Sequence, residues 1–238
     1  MSNNLLKGKR GIITGALDEN SIAWKVAQKA HEQGATFVLT NAPIAMRMGE
    51  INKLADATKS KIIPADATVV ADIETLYTES MQHLGGKIDF VLHSIGMSVN
   101  IRKNIPYTEL NYEFFNKGID VSAMSFHKML AVAHKLDAIN DWGSVVALTY
   151  IAAQRVYPFY TDMADIKAML ESIARTFGYH YGMQKKVRTV NMNTMEIEFK
   201  DIINFMSLEE PVEWFLIEFE DGTTLKVTGN HEIWSETQ

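Results

Sequence analysis

Short apolar runs alternate with longer amphipathic segments along the first 190 residues. The runs predict six strands, which are Arg10–Thr14, Thr36–Thr40, Lys61–Pro64, Ile88–His93, Ser144–Thr149 and Val187–Asn191. The segments between them predict five helices, which are Ser21–Gln33, Met46–Thr58, Ile73–Leu84, Phe114–Ala133 and Thr161–Tyr181. Strands that alternate with helices of this length favour right-handed crossovers. The pattern therefore predicts an α/β fold with a doubly wound parallel sheet.

The pattern changes after Asn191. Met195–Phe199 and Trp214–Glu220 alternate apolar and polar residues, which is typical of half-buried antiparallel strands, and Asp221-Gly222 predicts a hairpin turn. The charge changes at the same place, because residues 1–191 carry 21 Lys+Arg against 18 Asp+Glu and residues 192–238 carry two Lys against 11 Asp+Glu. The sequence therefore predicts two domains, 1–191 and an acidic, β-hairpin-rich segment 192–238 of foreign character.

Composition narrows the class of protein. The 238 residues include no cysteine, which excludes disulfides, thiolate metal sites and cysteine nucleophiles. No apolar run approaches the ~20 residues of a membrane span, and Met1–Arg10 has no signal-peptide pattern. No basic stripe with interleaved aromatic residues is present, so neither nucleic acid nor a membrane is expected as a partner. A cytoplasmic location is expected.

Two phenols and a lysine are the first candidates for chemistry. Tyr160 and Lys167 are seven residues apart, which on a helix is about two turns along one face. An ammonium group beside a phenol favours the phenolate, so this phenol could act as an acid. Tyr150 lies ten residues upstream of Tyr160, near the end of the fifth predicted strand. Taken singly, Tyr160 is better explained as a core tyrosine and Lys167 as a surface lysine, and only the convergence of these residues with Gly15 and the Ser94–Gly96 turn at one edge of the sheet favours an active site.

Two strand ends are candidates for a cofactor site. Gly15 follows the first strand and Ser21 opens the next helix, where free N–H groups suit a pyrophosphate. The alternative is a plain βα turn with Ser21 as N-cap, because the glycine-rich fingerprint is absent. Ser94 and Gly96 end the fourth strand, where small residues leave room for a ribose or ring, or simply form a turn.

Together these motifs resemble a known family. They are Gly15-x5-Ser21-Ile22-Ala23, Ala65-Asp66-Ala67, His93-Ser94-Ile95-Gly96 and Tyr150-x9-Tyr160-x6-Lys167. The pattern resembles the enoyl-acyl-carrier-protein reductases of bacterial fatty-acid synthesis, a divergent branch of the short-chain dehydrogenase/reductase family. Ordinary members of the wider family have tyrosine four residues before the lysine, and that position here is Met163. The resemblance runs from about Leu6 to Asn191.

The resemblance implies a Rossmann-like fold and a reaction. An enoyl thioester on acyl carrier protein would be reduced with NADH, with no metal. Tyr160 would stabilise the enolate, Tyr150 would position the thioester and Lys167 would hold the nicotinamide ribose. The implied cofactor-binding residues are Gly15, Ser21, Ile22, Asp66, Ala67, Ser94, Ile95, Gly96 and Lys167.

Cofactor choice and assembly stay open at this point. The second strand ends without an acidic residue for a ribose hydroxyl, and Arg47 nearby could admit the 2′-phosphate of NADPH. Members of the family form tetramers, partly through elements near the C-terminus, so the resemblance implies a homo-oligomer and leaves the oligomeric state of this chain open.

The sequence departs from the family after Asn191. The family continues with a Ser-, Gly- and Pro-rich loop, a further helix and a seventh strand, so the sheet is expected to be truncated before its last strand. Thr228 and His231 instead resemble the Thr-x-x-His pair of the Hint module of inteins, although no cysteine is present to start such a module. The alternative is therefore an inactive, truncated reductase body fused to a Hint-like fragment.

Overall fold

The computed structural model describes residues 3–48, 50–183, 186–190, 197–201, 214–218 and 224–228. The chain divides into two compact units, Met1–Gly182 and Met183–Gln238. Within the described ranges, no helix is both long enough and apolar enough to cross a membrane.

A parallel sheet of five strands forms the centre of the first unit. The strands are β1 (Arg10–Thr14), β2 (Thr36–Thr40), β3 (Lys61–Ile62), β4 (Ile88–His93) and β5 (Ile139–Ala147). Their order is β3-β2-β1-β4-β5, and Ile12 of β1 pairs with Val38 on one side and Val91 on the other. The predicted Rossmann-like, doubly wound sheet is confirmed. Because the strand order reverses between β1 and β4, a ligand crevice is expected at their carboxyl ends.

Helices cover both faces of the sheet. They are α1 (Ile22–Glu32), α2 (Pro43–Met48), α3 (Ile51–Thr58), α4 (Val70–Leu84), α5 (Val99–Arg102), α6 (Tyr112–Ile119), α7 (Ser125–Lys135) and α8 (Thr161–Met183). The predicted helix Met46–Thr58 is two helices, because Glu50 leaves the helical conformation and donates its N–H to Leu17 O. The predicted helix Phe114–Ala133 contains a π-helical turn at Asp120–Met124 between α6 and α7.

Successive side chains of the central strand β1 point to opposite faces of the sheet and contribute to a core on each face. Ile12 packs into a cluster with Tyr77 of α4 and Met129 of α7, whereas Ile13 packs into a cluster with Trp24 of α1 and Leu54 of α3. Each of these side chains is almost completely buried, which is where most of the hydrophobic stabilisation of such a domain arises. The two faces of the sheet are therefore covered, as a parallel sheet requires.

A third cluster fixes the position of α8. Phe126 and Leu130 of α7 pack against Met163, Ile166 and Leu170 of α8. Met163, which occupies the usual family position of the tyrosine, is 5% exposed and belongs to this core. The face of α8 that carries Met163 is thus turned towards α7.

The second unit contains two antiparallel strand pairs. β6 (Lys186–Val190) pairs with β7 (Ile197–Asp201), and β8 (Trp214–Glu218) pairs with β9 (Thr224–Thr228). The prediction of antiparallel strands in this part of the chain is confirmed. The prediction of Val187–Asn191 as a sixth parallel strand is wrong, since β6 forms its ladder with β7. The backbone groups of β6 form their hydrogen bonds with β7, the next strand in the sequence, and not with a strand of the parallel sheet.

Three features predicted for the second unit fall outside the described residues. They are the domain boundary at Asn191, the turn Asp221-Gly222 and the histidine of the Thr-x-x-His pair, His231. The boundary at residue 191 therefore stays a prediction.

Asp89 connects the amino ends of β1, β4 and β5 through hydrogen bonds, at the opposite end of the strands from the crevice. Its carboxylate accepts hydrogen bonds from Arg10 N (2.9 Å), Asn140 Nδ2 (3.1 Å) and Lys9 Nζ (3.3 Å). Burial opposes the charged form, but these hydrogen bonds outweigh it and lower the pKa of Asp89. Asp89 is therefore expected to stabilise the fold in its charged form.

Asp89→Asn should reduce the free energy of unfolding at pH 7 by about 1–3 kcal/mol, because two part-buried donors, Arg10 N and Asn140 Nδ2, lose a charged acceptor. Urea unfolding measures the change. A lowered folded-state pKa contributes stability above the unfolded pKa and loses it on acidification, so the deficit of the variant should shrink as pH falls through the acid range. Equal urea midpoints at pH 7 would contradict this role of Asp89.

Candidate active site

The carboxyl ends of β1 and β4 approach each other at the point where the strand order reverses. Ser94 N donates to Thr14 Oγ1 (3.1 Å), and Gly15 N donates to Thr40 O (3.2 Å). Gly15 has φ +80°, and a Cβ at this position would lie 1.9 Å from Ser94 O. Only glycine combines this backbone conformation with this approach, so the predicted residues Gly15 and Ser94 are in direct contact.

The turn from Gly15 into α1 is held by Ser21. The hydroxyl of Ser21 donates to Asp18 O (2.8 Å) and accepts from Leu17 N (3.3 Å), and it makes no hydrogen bond to a helical N–H. Ser21 is thus at the N-cap position of α1, but its side chain braces the turn. In the first turn of α1, Trp24 N and Lys25 N donate to Ser21 O, and the N–H groups of Ile22 and Ala23 lie at the positive end of the helix dipole.

A cavity of about 570 Å³ lies along the ends of the first four strands. It is lined by Thr14 at the end of β1, Asn41 after β2, Asp66 and Ala67 after β3, and Ile95 after β4. Three of the predicted cofactor-binding residues, Asp66, Ala67 and Ile95, therefore share this cavity. We call it the first cavity.

The carboxylate of Asp66 has a local structural role as well. Its Oδ1 accepts hydrogen bonds from Thr68 N (2.9 Å) and Thr68 Oγ1 (2.7 Å), and its backbone N–H donates to Asp72 Oδ2 (2.9 Å). These contacts shape the turn that leads into α4. They leave Oδ2 of Asp66 as the oxygen that could accept a hydrogen bond from a ligand in the first cavity.

Three tyrosines form an aromatic cluster after β5. The rings of Tyr150 and Tyr160 stack with centroids 4.3 Å apart, and Tyr157 packs its ring edge-on at 5.6 Å from Tyr150 and 6.3 Å from Tyr160. The predicted pair Tyr150 and Tyr160 is thus brought together. Tyr157 is an additional member, and the only sequence signal for it is a third tyrosine within the same short run.

Tyr160 lies immediately before α8, which begins at Thr161, so the expected two-turn helical spacing to Lys167 does not hold for it. Burial raises the pKa of Tyr160. A hydrogen bond with Tyr157, together with burial, raises the pKa of Tyr150. The expectation that Lys167 favours the phenolate is therefore not met, and both phenols are protonated at neutral pH and able to donate.

Lys167 is a buried lysine, which rules out the surface interpretation. It is 7% exposed, and its Nζ donates to Leu148 O (2.7 Å) just after β5. Burial lowers the pKa of Lys167 to about 8. The same Nζ would lie 3.7 Å from a Cβ on Gly96, so Lys167 and the turn after β4 face each other across the strand ends.

A histidine and two serines that sequence reasoning missed support this turn. His93 Nε2 and Ser125 Oγ are 2.8 Å apart, and Ser125 Oγ donates to Val121 O, so Nε2 carries the histidine proton. Burial, and then the charge of Lys167, lower the pKa of His93 to about 3, so the imidazole is neutral. Ser122 Oγ accepts from Met97 N (2.8 Å) and donates to Met97 O (3.2 Å).

Both serines come from the π-helical turn Asp120–Met124 or directly follow it. A π-helical turn adds one residue to a helical circuit, and it is often found at functional sites. Here the π-helical turn places the hydroxyl of Ser125 against His93, at the end of β4, and the hydroxyl of Ser122 against Met97. Nothing in the local sequence predicts it.

A second cavity, of about 790 Å³, lies beside the aromatic cluster. One wall comes from residues 101–107 and the other from residues 152–165, and Tyr107 OH donates to Asp165 Oδ2 (3.0 Å) between them. Most of the side chains around it are apolar or aromatic, including Ile101, Ile105, Val156 and Phe159. We call it the second cavity.

The doubly wound sheet, the glycine contact at the strand crossover and the tyrosine–lysine arrangement define a Rossmann-like domain of the short-chain dehydrogenase/reductase class. The family model described as enoyl-(acyl carrier protein) reductase matches residues 15–209. The chain therefore belongs to the enoyl-acyl-carrier-protein reductase family.

Curated relatives agree with the family match. The enoyl-acyl-carrier-protein reductase (NADH) 1 of Rhizobium meliloti is 33% identical over 183 residues, which are 76% of this chain and 65% of the relative. The reductase (NADH) FabI of Rickettsia bellii is 33% identical over 176 residues, which are 74% of this chain and 66% of the relative. The chain thus spans slightly less than two thirds of the length of these relatives.

Solved structures resemble the first unit. The FabI–NADH complex of Alistipes finegoldii superposes with a TM-score of 0.74 at 60% identity, covering 75% of this chain and 63% of that one. FabI of Candidatus Liberibacter asiaticus superposes with a TM-score of 0.69 at 31% identity, covering 76% of this chain and 69% of that one.

The family match continues past residue 191 to residue 209. The alternative of a reductase body fused to a Hint-like fragment finds no support in these comparisons.

Proposed function

We propose that this chain reduces the carbon–carbon double bond of a trans-2-enoyl thioester with NADH. The observation that carries the proposal is a protonated phenol, Tyr160, stacked on a second phenol, Tyr150, at the strand ends where the ammonium group of Lys167 is buried. Such a set can donate to an oxygen that becomes negative, in a positive local field. The names of the relatives support the same reaction.

The residues at the strand ends fit a dinucleotide. The missing Cβ of Gly15 and the first turn of α1, with Ser21 and Ile22, suit a pyrophosphate. Asp66 and Ala67 line the first cavity, where an adenine amino group would meet a carboxylate oxygen. The remaining residues proposed to hold the cofactor are those around the nicotinamide and its ribose, Ser94, Ile95, Gly96 and Lys167.

NADH is proposed over NADPH because of the end of β2. Thr40, Asn41 and Ala42 line the first cavity there and carry no charge. Arg47, which could admit a 2′-phosphate, is exposed at the end of α2 and lies outside the residues that line this cavity. A 2′-phosphate at the end of β2 would therefore meet no cation from that strand.

The dinucleotide, when bound, supplies a hydride to the β-carbon of the enoyl group. The phenol of Tyr160 donates a hydrogen bond to the thioester oxygen as that oxygen becomes negative, and Tyr150 restrains the ring of Tyr160 by stacking and can donate to the same region. Below about pH 8 Lys167 is protonated, and its charge favours negative charge nearby. The proposed reaction requires no metal.

The second cavity is proposed to receive the acyl chain. It adjoins Tyr157 and Phe159 beside the candidate acid, and its apolar walls suit a hydrocarbon. An enoyl-acyl carrier protein is the proposed partner. Assembly as a homo-oligomer and a location in the cytoplasm stay predictions.

A direct assay tests the proposal with the full chain. NADH binding is followed by nucleotide fluorescence, and NADH oxidation is followed by absorbance with a crotonyl thioester as substrate. The expected result is binding and thioester-dependent oxidation, with tighter binding of NADH than of NADPH. Oxidation that does not depend on the thioester, or binding without turnover, would overturn the proposed reaction. A lower Kd for NADPH would overturn only the choice of cofactor.

A further inference from the structure

The backbone around Tyr160 is strained. Phe159 has φ +67° and Thr161 has φ +35°, and neither is glycine. For a β-branched residue such as Thr161 a positive φ is a pronounced outlier. Strained residues of this kind persist only where surrounding contacts hold them, and they cluster at functional sites. Contacts beside Tyr160 must therefore offset the strain.

Asp162 provides the contacts on one side. Its side chain is completely buried in the first turn of α8, two residues after Tyr160. Oδ1 accepts hydrogen bonds from Ser98 Oγ (2.6 Å) and Thr161 Oγ1 (3.0 Å), and Oδ2 accepts from Asn100 Nδ2 (2.7 Å). A carboxylate in the first turn also interacts favourably with the helix dipole. Asp162 thus joins α8 to the segment that follows the turn after β4.

Ser98 and Asn100 are themselves fixed. Ser98 Oγ accepts from Ile101 N (3.0 Å) and caps α5. The side chain of Asn100 pairs with the backbone of Asn111, donating to its carbonyl oxygen (3.2 Å) and accepting from its N–H (3.1 Å). The segment from residue 98 to residue 111 is therefore closed on itself, and Asp162 binds it as one piece.

This segment and the turn before α8 form the two walls of the second cavity. Residues 101–107 belong to one wall, and Phe159 and Thr161 belong to the other. The hydrogen bonds from Ser98 and Asn100 to Asp162 therefore connect the segments that carry the two walls, and they fix the start of α8 directly after Tyr160.

We propose that Asp162 is a positioning residue, which holds the strained turn of Tyr160 and the segment 98–111 in one fixed arrangement. The proposal rests on the proposed function for its kinetic consequence, and on contacts alone for its structural consequence. Asp162 acts through Tyr160 and through the cavity wall, and has no part in binding the dinucleotide.

Asp162→Asn is the first test. The substitution replaces one carboxylate oxygen with an amide NH2 group. That NH2 group is a donor, and it would face the donors that now bind the carboxylate, Ser98 Oγ, Thr161 Oγ1 and Asn100 Nδ2. The expected result is a fall of about 10- to 100-fold in kcat for the crotonyl thioester, because small displacements of a reacting group have effects of this size. The Kd for NADH should stay within about twofold of the wild-type value, since the dinucleotide contacts are untouched.

Asp89→Asn is the matched control. Asp89 is also a mostly buried carboxylate with several donors, at the opposite edge of the sheet. It should lower stability and leave kcat unchanged. If both variants lose kcat in proportion to their loss of stability, Asp162 is only a structural residue and the proposal fails.

Ser98→Ala keeps the carboxylate and tests the same link if Asp162→Asn does not fold. It should lower kcat by about three- to tenfold, since it removes one of the hydrogen bonds that cross between the two walls. Added to Asp162→Asn, it should cause little further loss, because both changes break one network. Fully additive losses would overturn the proposed link.

Hydrogen exchange separates this inference from the proposed function. In Asp162→Asn, or in Ser98→Ala if the first variant does not fold, amide exchange should rise together in residues 98–111 and 157–163, but not in Asp89→Asn. This readout needs no turnover, so an inactive wild-type protein would overturn the proposed reaction and leave the role of Asp162 to be decided by exchange. Faster exchange in only one segment, or in neither, would overturn the positioning role.

Discussion

Replacing Tyr160 with phenylalanine should lower kcat/KM for an enoyl thioester by about 10²–10³-fold, the usual effect of removing one donor from an oxyanion site. The ring remains, so the stacking on Tyr150 and the packing against α8 are retained. The pKa of Tyr160 is raised by burial, so it is the neutral phenol that is lost at the pH of the assay. The Kd for NADH should change little, because the phenol is proposed to act on the thioester oxygen.

The control is Tyr112→Phe, which removes a phenol from an exposed tyrosine at the start of α6. Steady-state kinetics with a crotonyl thioester and fluorescence titration of NADH give the two quantities for each variant. Full activity in Tyr160→Phe would contradict the role of Tyr160 as the proposed acid, and Tyr150 would then be the phenol to test.

Lys167→Met should lower activity, and it should remove a pH-dependent contribution to folding. Turnover should fall by about 100-fold or more, because the positive charge that is proposed to act at the strand ends is lost from a buried site. NADH affinity should also weaken, because Lys167 is proposed to hold the ribose. In the wild-type protein the same affinity should decline as pH rises through about 8, where Lys167 loses its proton.

The effect on folding follows from the lowered pKa of Lys167, which burial moves from 10.5 to about 8. Between these two pH values the unfolded chain holds the proton and the folded chain does not, so wild-type stability gains as pH rises through this interval. Relative to Lys167→Met, the wild-type free energy of unfolding should therefore increase by about 3 kcal/mol from pH 7.5 to pH 10.5.

Urea unfolding of both proteins over this pH range, without cofactor, measures the difference directly. Methionine has a similar length and no charge, so the packing of α8 is preserved, while Leu148 O loses its donor at every pH. A difference that stays constant from pH 7.5 to pH 10.5 would show that Lys167 keeps an ordinary pKa in the folded protein.

The central strands β1, β2 and β4 could be predicted from the sequence because they are largely buried, which gives short apolar runs bounded by turns. Helix interruptions could not be predicted in the same way. The segment Asp120–Met124 reads as ordinary helix, and its extra residue is accommodated by contacts of Ser122 with Met97, far away in sequence. Similarly, the apolar pattern of Val187–Val190 predicts a strand but not the strand with which it pairs.

The site could be predicted as a set of residue types and spacings, and not as a set of protonation states. Tyr150, Tyr160 and Lys167 lie close to one strand end, as the spacing indicates. The pKa shifts of Tyr160 and Lys167 depend on burial, which the spacing does not contain, and burial favours the neutral form of both. The pKa of Tyr150 is raised first by its hydrogen bond with Tyr157. The buried Asp162 gave no sequence signal, because an aspartate in the first turn of a helix is common.

The central strand pair also has a consequence for biosynthesis. Gly11–Ile13 of β1 pairs on one side with β2, which follows soon in the chain, and on the other side with Phe90–Leu92 of β4. A chain that emerges amino end first can therefore form β1, α1 and β2 while the backbone N–H and C=O groups on one edge of β1 still lack their partner strand, β4. Until the ribosome has released β4, that edge can pair with another chain, and a chaperone that shields it would protect the nascent protein from aggregation.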